Sequence, residues 1–232
     1  MKIVHAYSDL LNLYGEYANV SALARLLTQN GHEVEIEHVT IGQPLRLSDC
    51  DFLYIGAGTE RKQKRALAHL RGYADELRAY VERGGAALLT GNALEMLGKS
   101  ITDADGVEHA GLGLFDFTVR EQRKTRITGD AIVCFDELPD PLIGFVNRCS
   151  TAEGMAPAPF TVDRGPASDE TARTEGVRRR NLFGTYLTGP VLVKNPHFLH
   201  YFASLAVGGL SDVAFCREKL AYATALTKLR EK

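Results

Sequence analysis

The sequence predicts an α/β fold built on a mostly parallel sheet. Short apolar segments alternate with helical segments through the first hundred residues, which is the order of elements that a parallel sheet requires. Two of these segments, Asp51–Ile55 and Ala86–Thr90, are nearly continuous apolar runs, as expected for strands that are covered on both faces. The later chain alternates less regularly, so we expect it to add further strands.

Each element of the first half has a local reason in the sequence. Lys2–Tyr7 is short, apolar and β-branched, which favours a strand. Tyr17–Gln29 carries apolar residues at helical spacing, and Gly31 ends the helix. Glu33–Val39 alternates acidic and apolar residues, which is typical of a strand. Arg61–Arg83 is predicted as one long helix that ends at two glycines.

The second half is predicted to hold more strands and two closing helices. The predicted strands are Ala131–Phe135, Leu142–Val146 and Leu182–Leu187, and the predicted helices are Asn92–Leu97, Asn195–Val207 and Asp212–Leu229. The segment Met155–Glu175 contains three prolines and few large apolar residues, so we predict a surface loop there. No repeat period is present, and we predict a single domain over residues 1–232.

The composition and charge of the chain exclude several classes of function. Hydrophobic residues make up 45% of the chain and charged residues 24%, which is ordinary for a globular protein. Twenty-seven basic against twenty-nine acidic residues give a net charge of −2, so we expect no nucleic-acid partner. The longest apolar stretches are shorter than ten residues, so we expect no membrane insertion.

Cysteine usage and the first residues predict a cytoplasmic protein. The four cysteines lie far apart without a C-x-x-C pair, so we expect neither a metal site nor a disulfide framework. Met1 and Lys2 lead directly into the first predicted strand, without the basic, apolar and small-residue regions of a signal peptide. A reducing compartment is the expectation that follows.

Three loops mark where a ligand would bind, because open α/β sheets bind ligands at the carboxyl ends of their strands. These loops are Ser8–Gly15, Gly56-Ala57-Gly58-Thr59-Glu60 and Thr90-Gly91-Asn92. Neither a G-x-G-x-x-G fingerprint nor a P-loop is present, which disfavours nucleotide binding. The third loop has the position of a nucleophile elbow, but glycine has no side chain that could attack a substrate. We predict a capped helix start there, with Asn92 as the N-cap and Glu95 at the third helical position.

A series of short motifs, in a fixed order over roughly residues 5–200, resembles one branch of a known enzyme family. The motifs are Ser8–Gly15 with Asn19, Tyr54–Gly58, Leu97-Gly98, Gly111–Phe115, Arg126–Asp130, Gly144–Asn147, Thr174–Gly176, Gly184–Pro190 and Lys194–Pro196. Together they resemble the CobB/CobQ-like branch of the class I glutamine amidotransferases. That branch contains the glutaminase subunit of lipid II isoglutaminyl synthase and the amidotransferases of the cobyric acid synthase type.

The resemblance implies a flavodoxin-like three-layer domain that hydrolyses glutamine and needs no cofactor. In that family a cysteine on the elbow attacks the side-chain amide, a histidine activates the thiol, and backbone N–H groups form the oxyanion hole. The ammonia passes to a synthetase or ligase partner. In peptidoglycan synthesis this partner resembles a Mur ligase and amidates the glutamate of lipid II. The resemblance therefore implies a heterodimer with a Mur-ligase-like subunit and a pocket for glutamine or another small carboxylate.

This chain departs from the family pattern at both catalytic positions. Aligned backward from Leu97-Gly98, the cysteine position falls on Gly91. The family histidine precedes a Gly-Pro pair, and that position is Thr188 here. A threonine hydroxyl does not titrate near neutral pH, so it cannot replace imidazole as the base. We predict a site with no intact catalytic residue, in which Gly91 keeps the positive φ of an elbow.

The other candidate residues form a predicted substrate pocket. We assign Gly56, Ala57, Gly58 and Asn92 to it because they lie in the two loops after the central strands. Arg126 matches the substrate-contacting arginine of the family, and a guanidinium can hold a carboxylate through two hydrogen bonds.

A replacement nucleophile would have to be one of the four cysteines. Cys50 lies at the amino end of its strand, Cys134 is predicted to lie in the core, and Cys216 lies in the last predicted helix. Cys149 follows a strand and is the least excluded of the four.

Three interpretations follow from these observations. The first is a noncatalytic amidotransferase-like subunit of a Mur-ligase-like partner, with Leu10, Leu13, Tyr14 and Phe198 as candidate apolar anchors of the interface. The second is a working amidohydrolase that uses an unrecognised nucleophile. The third is a flavodoxin-like module for an unrelated small ligand.

Overall fold

The computed structural model describes residues 1–211 and 215–231, which hold fourteen strands and six α-helices. The strands are β1 (Lys2–Ala6), β2 (Glu35–Val39), β3 (Phe52–Ile55), β4 (Ala86–Thr90), β5 (Ser100–Thr102), β6 (Glu108–Ala110), β7 (Thr118–Glu121), β8 (Ile127–Cys134), β9 (Leu142–Arg148), β10 (Ser150–Glu153), β11 (Phe160–Arg164), β12 (Thr174–Glu175), β13 (Val177–Arg179) and β14 (Leu182–Thr185). The helices are α1 (Tyr17–Gln29), α2 (Glu60–Leu70), α3 (Ala74–Glu82), α4 (Val191–Lys194), α5 (Pro196–Val207) and α6 (Cys216–Glu231).

A six-stranded sheet, in the order β13-β14-β4-β3-β1-β2, lies at the centre of the fold. Its neighbouring strands are parallel except for β13 and β14. The strands β3, β4 and β14 are buried along their whole length, which is why their sequences are continuous apolar runs. The predicted α/β fold with a mostly parallel sheet is therefore confirmed. This arrangement brings the loops after β1, β3, β4 and β14 to one edge of the sheet.

The helices of the first half follow the apolar spacing of the sequence, with one exception. The apolar stripe of α1 is buried against β1, α4 and α5, as predicted. The predicted single helix Arg61–Arg83 is wrong in its middle, because a 3-10 turn at Arg71–Tyr73 separates α2 from α3. Gly72 lies in this turn, and glycine is a poor helix former.

The second half of the chain contains more strand than the sequence predicted. Two four-stranded sheets have the orders β10-β7-β5-β6 and β12-β11-β8-β9. The predicted surface loop Met155–Glu175 is wrong, because β11 lies inside it and pairs with β8. Phe160 and Val162 point inward and alternate with exposed Thr161 and Asp163, a period-two pattern too short to stand out among the prolines.

Cys134 ends β8 and is exposed, so the prediction that it lies in the core is wrong. The short helix predicted at Asn92–Leu97 is present as a 3-10 helix over Gly91–Leu97. The first residues of the predicted helix Asp212–Leu229 lie outside the described residues, and α6 begins at Cys216. Within residues 1–211 and 215–231, no helix is long and apolar enough to span a membrane.

His5 lies in the core on β1, between β3 and the edge strand β2 of the central sheet. It pairs with His38 on β2 and Tyr54 on β3, at ring-centroid distances of 5.5 Å and 5.3 Å. The side chain is fully buried, and neither ring nitrogen has a hydrogen-bond partner among the described residues. Burial, together with a smaller effect of the nearby His38, lowers the pKa of His5 to about 4.

We therefore expect the fold to lose stability at mildly acid pH through His5. Between about pH 6.5 and pH 4 only the unfolded chain binds this proton, so the stability is complete above pH 6.5 and decreases as the pH falls toward 4. The loss should reach about 2–3 kcal/mol. Urea unfolding of the parent and of His5→Leu across this range measures it, and the variant should lose this part of the slope. His32→Leu, on a loop, is the control, and an unchanged slope in His5→Leu would refute the assignment.

Candidate functional site

Four loops converge at the carboxyl edge of the central sheet. They follow β1, β3, β4 and β14, which are neighbours or next neighbours in the parallel part of the sheet. The structure therefore places Gly56-Ala57-Gly58, Gly91 and Thr188 close together, although they are distant in sequence. The second half of the chain adds Arg126, before β8, and Asn147, on β9.

The turn after β4 is crowded around Gly91. Its φ is +57°, so the positive φ predicted for this turn is present. A Cβ atom placed on Gly91 would lie 2.6 Å from the Cβ of Ala57 and 3.0 Å from the Cγ2 of Thr188. Both distances are shorter than ordinary carbon–carbon contacts of about 3.5–4.0 Å. A side chain at this position, including that of a cysteine, requires its neighbours to move.

Thr188 lies opposite Gly91 and is bound to the backbone of β9. Its hydroxyl donates to the carbonyl oxygen of Phe145 at 2.7 Å, and its backbone pairs with the same residue. The side chain is 1% exposed and turns its methyl group toward Gly91. The two positions that the resemblance aligned with a nucleophile and a base are thus neighbours in space, but they present a glycine and a methyl group to each other.

Asn92 does not cap a helix, contrary to our prediction. Its side-chain amide pairs with the backbone of Gly58: Nδ2 donates to the carbonyl oxygen at 2.9 Å, and Oδ1 accepts the N–H at 3.0 Å. Asn92 therefore joins the loops after β3 and β4. The backbone N–H of Gly58 therefore already has a hydrogen-bond partner.

Ala57, Gly58, Asn92 and Arg126 line one small cavity, but Gly56 does not. Gly56 lies behind the cavity, where a Cβ atom would contact the backbone of Leu11 at 2.6 Å. The cavity has a volume of about 10 Å³. That volume is enough for about one water molecule and too small for a glutamine side chain.

A chain of hydrogen bonds crosses the mouth of the cavity. Arg126 Nε donates to Asn147 Oδ1 at 2.6 Å, and Asn147 Nδ2 donates to the hydroxyl of Tyr14 at 2.8 Å. The guanidinium of Arg126 also lies 3.4 Å from Glu60 Oε1. Arg126 therefore lies at the predicted site but is bound to groups of the protein itself.

Cys149 is the one cysteine of the described chain that lines the cavity. Its thiol donates to Glu60 Oε1 at 3.1 Å. Burial and the negative charge of Glu60 raise the pKa of Cys149 to about 12, so the group stays a thiol at neutral pH. Burial alone would also raise the pKa of Glu60, but the hydrogen bonds that Glu60 accepts and the nearby cations lower it below its ordinary value. In this pair the proton stays on the sulfur of Cys149 and the negative charge on Glu60, whereas a reactive cysteine carries the negative charge on its sulfur.

Glu95 is buried beside the cavity and was missed as a site residue. Its carboxyl group accepts hydrogen bonds from Gln63 Nε2 at 2.7 Å, from the hydroxyl of Tyr186 at 3.2 Å and from the hydroxyl of Ser150. Burial raises the pKa of Glu95, and these hydrogen bonds oppose the rise. The sequence pattern suggested a helix cap here, because none of these partners is near Glu95 in the sequence.

A second buried carboxyl group lies under the Gly91 turn. Glu16 Oε2 accepts hydrogen bonds from the hydroxyl of Thr90 at 2.8 Å and from the hydroxyl of Tyr54. Asn19 completes the cluster with a hydrogen bond of 2.7 Å to Tyr54. Burial raises the pKa of Glu16 despite these hydrogen bonds. The cluster ties the loop after β1 to the ends of β3 and β4.

Among the described residues, no histidine lines the cavity, and no group of three or more potential ligands could hold a metal ion. Cys50 is buried and lies 3.8 Å from the hydroxyl of Tyr80, whereas Cys216 is exposed. The residues that do line the cavity supply amides, hydroxyl groups, carboxyl groups, two guanidinium groups and a protonated thiol.

The sequence of this chain matches the CobB/CobQ-like glutamine amidotransferase domain over residues 2–196. The chain therefore belongs to that family, and the resemblance noted above is confirmed.

Two similar proteins are subunits of one enzyme. The GatD subunit of the glutamine-hydrolyzing lipid II isoglutaminyl synthase of Staphylococcus aureus is 30% identical over 201 residues, which cover 87% of this chain and 82% of that subunit. The corresponding subunit of Streptococcus pneumoniae is 24% identical over 210 residues, which cover 89% and 80%. A solved structure described as a glutamine amidotransferase superposes with a TM-score of 0.56 at 19% identity, covering 88% of this chain and 98% of that one, and shows the shared fold.

The crowding at Gly91 predicts an unequal pair of glycine variants. Gly91→Ala should lower the free energy of unfolding by about 1 kcal/mol for the positive φ and by about 1–3 kcal/mol more for the contacts with Ala57 and Thr188. Gly113→Ala is the matched control, because Gly113 has a φ of +61° and nothing within 4 Å of its Cβ position. Chemical denaturation of both variants measures the difference.

The double variant Gly91→Ala with Ala57→Gly tests the cause of that difference. It should recover part of the stability lost in Gly91→Ala, because it removes the contact at 2.6 Å. Equal losses in Gly91→Ala and Gly113→Ala would show that the turn has room for a side chain.

Proposed function

We propose that this chain is a noncatalytic amidotransferase-like subunit that acts through a Mur-ligase-like partner in the amidation of lipid II. The observation that carries this proposal is the crowding at Gly91, where a Cβ atom would lie 3.0 Å from Cγ2 of Thr188, beside a cavity of about 10 Å³ that Ala57 and Asn92 line. The similarity to two GatD subunits of lipid II isoglutaminyl synthase supports the choice of partner and substrate.

Four features of this edge of the sheet support the noncatalytic interpretation. Cys149 supplies no thiolate, because burial and Glu60 hold it as a thiol. No imidazole of the described chain lines the cavity, and Thr188 donates its hydroxyl proton to a backbone carbonyl. The N–H of Gly58 is bound to Asn92, and the cavity holds about 10 Å³. These features favour the noncatalytic interpretation over an enzyme with an unrecognised nucleophile.

A subunit without chemistry must act through its surface, and the loop before α1 offers the apolar anchors. The side chain of Leu13 is 51% exposed, and Leu10 and Tyr14 are half-buried. Phe198 is fully buried, so our prediction of it as an interface anchor is wrong: it packs in the core against Phe202. We therefore propose that the partner contacts Leu13 and its neighbours at the rim of the closed cavity.

We also propose that the chain works as one domain in the cytoplasm. One apolar core that extends from Ile3 to Phe215 supports the single domain. The four cysteines are free, which is in keeping with a reducing compartment.

The purified chain should release no ammonia from glutamine above background. Loss of a nucleophile or its base reduces kcat by about 10⁶-fold in the serine protease subtilisin, so residual turnover should be undetectable. The positive control is the staphylococcal relative, which is named as a glutamine-hydrolyzing subunit. Gly91→Cys alone should also be inactive, because it has no base and too little space. Ammonia release that disappears in Cys149→Ser would refute the proposal and identify the nucleophile.

A partner test separates the subunit role from the missing chemistry. Co-expression with a Mur-ligase-like protein from the same genome should give a stable complex on size-exclusion chromatography, which typically buries about 1,200–2,000 Å². Leu13→Asp should weaken the complex at least about tenfold by placing a charge in the apolar contact. Leu220→Asp is the control, because Leu220 is 69% exposed on α6. Separate elution of the two proteins, with full ligase activity from free ammonia, would contradict the subunit role.

A further inference from the structure

A second and much larger cavity lies between α6, α4 and the strands β8 and β9. Its volume is about 680 Å³, and none of its lining residues also lines the small cavity that contains Ala57, Asn92 and Arg126. Small-molecule sites occupy about 300–1,000 Å³ and are mainly apolar, and this groove fits both criteria. It is therefore a separate candidate binding site, independent of the proposed function.

Small residues line part of the groove. Ala221 and Ala225 lie one turn apart on the same face of α6, and Gly144 on β9 also borders the groove. Tyr222 is the one buried residue in the described part of α6 and donates to the carbonyl oxygen of Pro141 at 2.5 Å. This contact and the packing of Ala225 against the cluster of Ile143 and Tyr222 hold α6 on the sheet, and the groove lies beside them.

The walls of the groove are apolar, and its borders carry more positive than negative charge. Lys194, Arg217 and Lys228 line it, against the two acids Asp130 and Glu218. Burial lowers the pKa of Lys194, and the charge of Asp130 opposes this effect. The lining therefore has one positive charge in excess when all five groups are ionised. An anionic group of a ligand would be a favourable neighbour for these cations.

The length of the groove indicates the shape of the ligand. Arg217 and Lys228 are eleven residues apart on α6, which corresponds to about 16 Å along the helix axis. An extended hydrocarbon chain of roughly twelve carbons spans a similar distance, since each C–C bond of about 1.5 Å advances the chain by less than its length. A cation lies toward each end of this stretch, where the polar end of such a chain would emerge.

We infer that this groove binds a single-chain amphipathic carboxylate, with the hydrocarbon against Ala221, Ala225 and Ile143 and the carboxylate at one of the bordering cations. We take the ligand to be a free monomer from solution, because the groove is bounded by α6 on one side and by the β8–β9 sheet on the other. A lipid surface could present the same amphipathic chemistry, and the test distinguishes these two sources.

Isothermal titration calorimetry with dodecanoate below its micelle concentration tests the inference on the full chain. Saturable binding of one dodecanoate per chain, with a micromolar Kd, is expected. Dodecyltrimethylammonium, with the same chain and the opposite charge, should bind at least tenfold more weakly. Phosphatidylglycerol vesicles should not bind the protein. Equal affinity for the two amphiphiles, binding to vesicles only, or no binding of dodecanoate would each overturn the inference.

Two sets of variants locate the bound ligand. Ala225→Trp fills the groove and should reduce dodecanoate affinity more than tenfold, whereas Leu220→Trp, on the exposed face of α6, should leave it unchanged. Lys194→Gln, Arg217→Gln and Lys228→Gln are tested one by one, and the residue that holds the carboxylate should show a loss of tenfold or more. If no cation variant weakens binding while Leu220→Trp binds normally, the carboxylate is not recognised here and the inference is wrong. The three cations are exposed, so this result does not depend on whether Ala225→Trp folds.

Discussion

The close approach of three backbone segments at the carboxyl edge of the central sheet determines the character of the site. The parallel strands β3, β4 and β14 end at the same edge of the sheet, which brings Ala57, Gly91 and Thr188 close together. A Cβ atom on Gly91 would lie 2.6–3.0 Å from the side chains of the other two residues. At these distances only a glycine fits the turn without displacement. Gly91 is therefore part of a local packing arrangement. The methyl group of Thr188 and the side chain of Ala57 occupy the space around a position that has no side chain of its own.

Buried carboxyl groups hold this arrangement from two sides. Glu16 connects the loop after β1 to Tyr54 and Thr90, and Glu95 connects the turn after β4 to Ser150 of the second half. Hydrogen bonds of this kind are strong in a low-dielectric interior, and an unpaired carboxyl group there would be unfavourable by several kcal/mol. Each loop is thus fixed by partners from another strand. The edge of the sheet is a network of hydrogen-bonded polar groups, with little freedom to open around a substrate.

The sequence predicted those features that depend on local pattern and missed those that depend on distant partners. Continuous apolar runs predicted β3 and β4, and the order of the family motifs predicted that Gly91 and Thr188 lie at one site. The role of Glu95 could not be predicted in this way, because its partners lie 32, 55 and 91 residues away. The prediction that Phe198 anchors an interface was wrong for the same reason. An aromatic residue near a family motif suits a surface and a core equally well, and only the contacts of α5 decide between the two. The sequence did not predict β11, because its two inward-facing residues are too few to show the alternation that is typical of a strand.

The polar residues that line the small cavity are hydrogen-bonded to one another. Here Arg126 donates to Asn147, Asn147 donates to Tyr14, and Glu60 accepts from Cys149. Each of these groups has a partner within the protein, so ligand binding would exchange existing hydrogen bonds for new ones with little net gain. The side chain of Leu13, by contrast, is 51% exposed and takes no part in these hydrogen bonds, so contacts made there would break none of them.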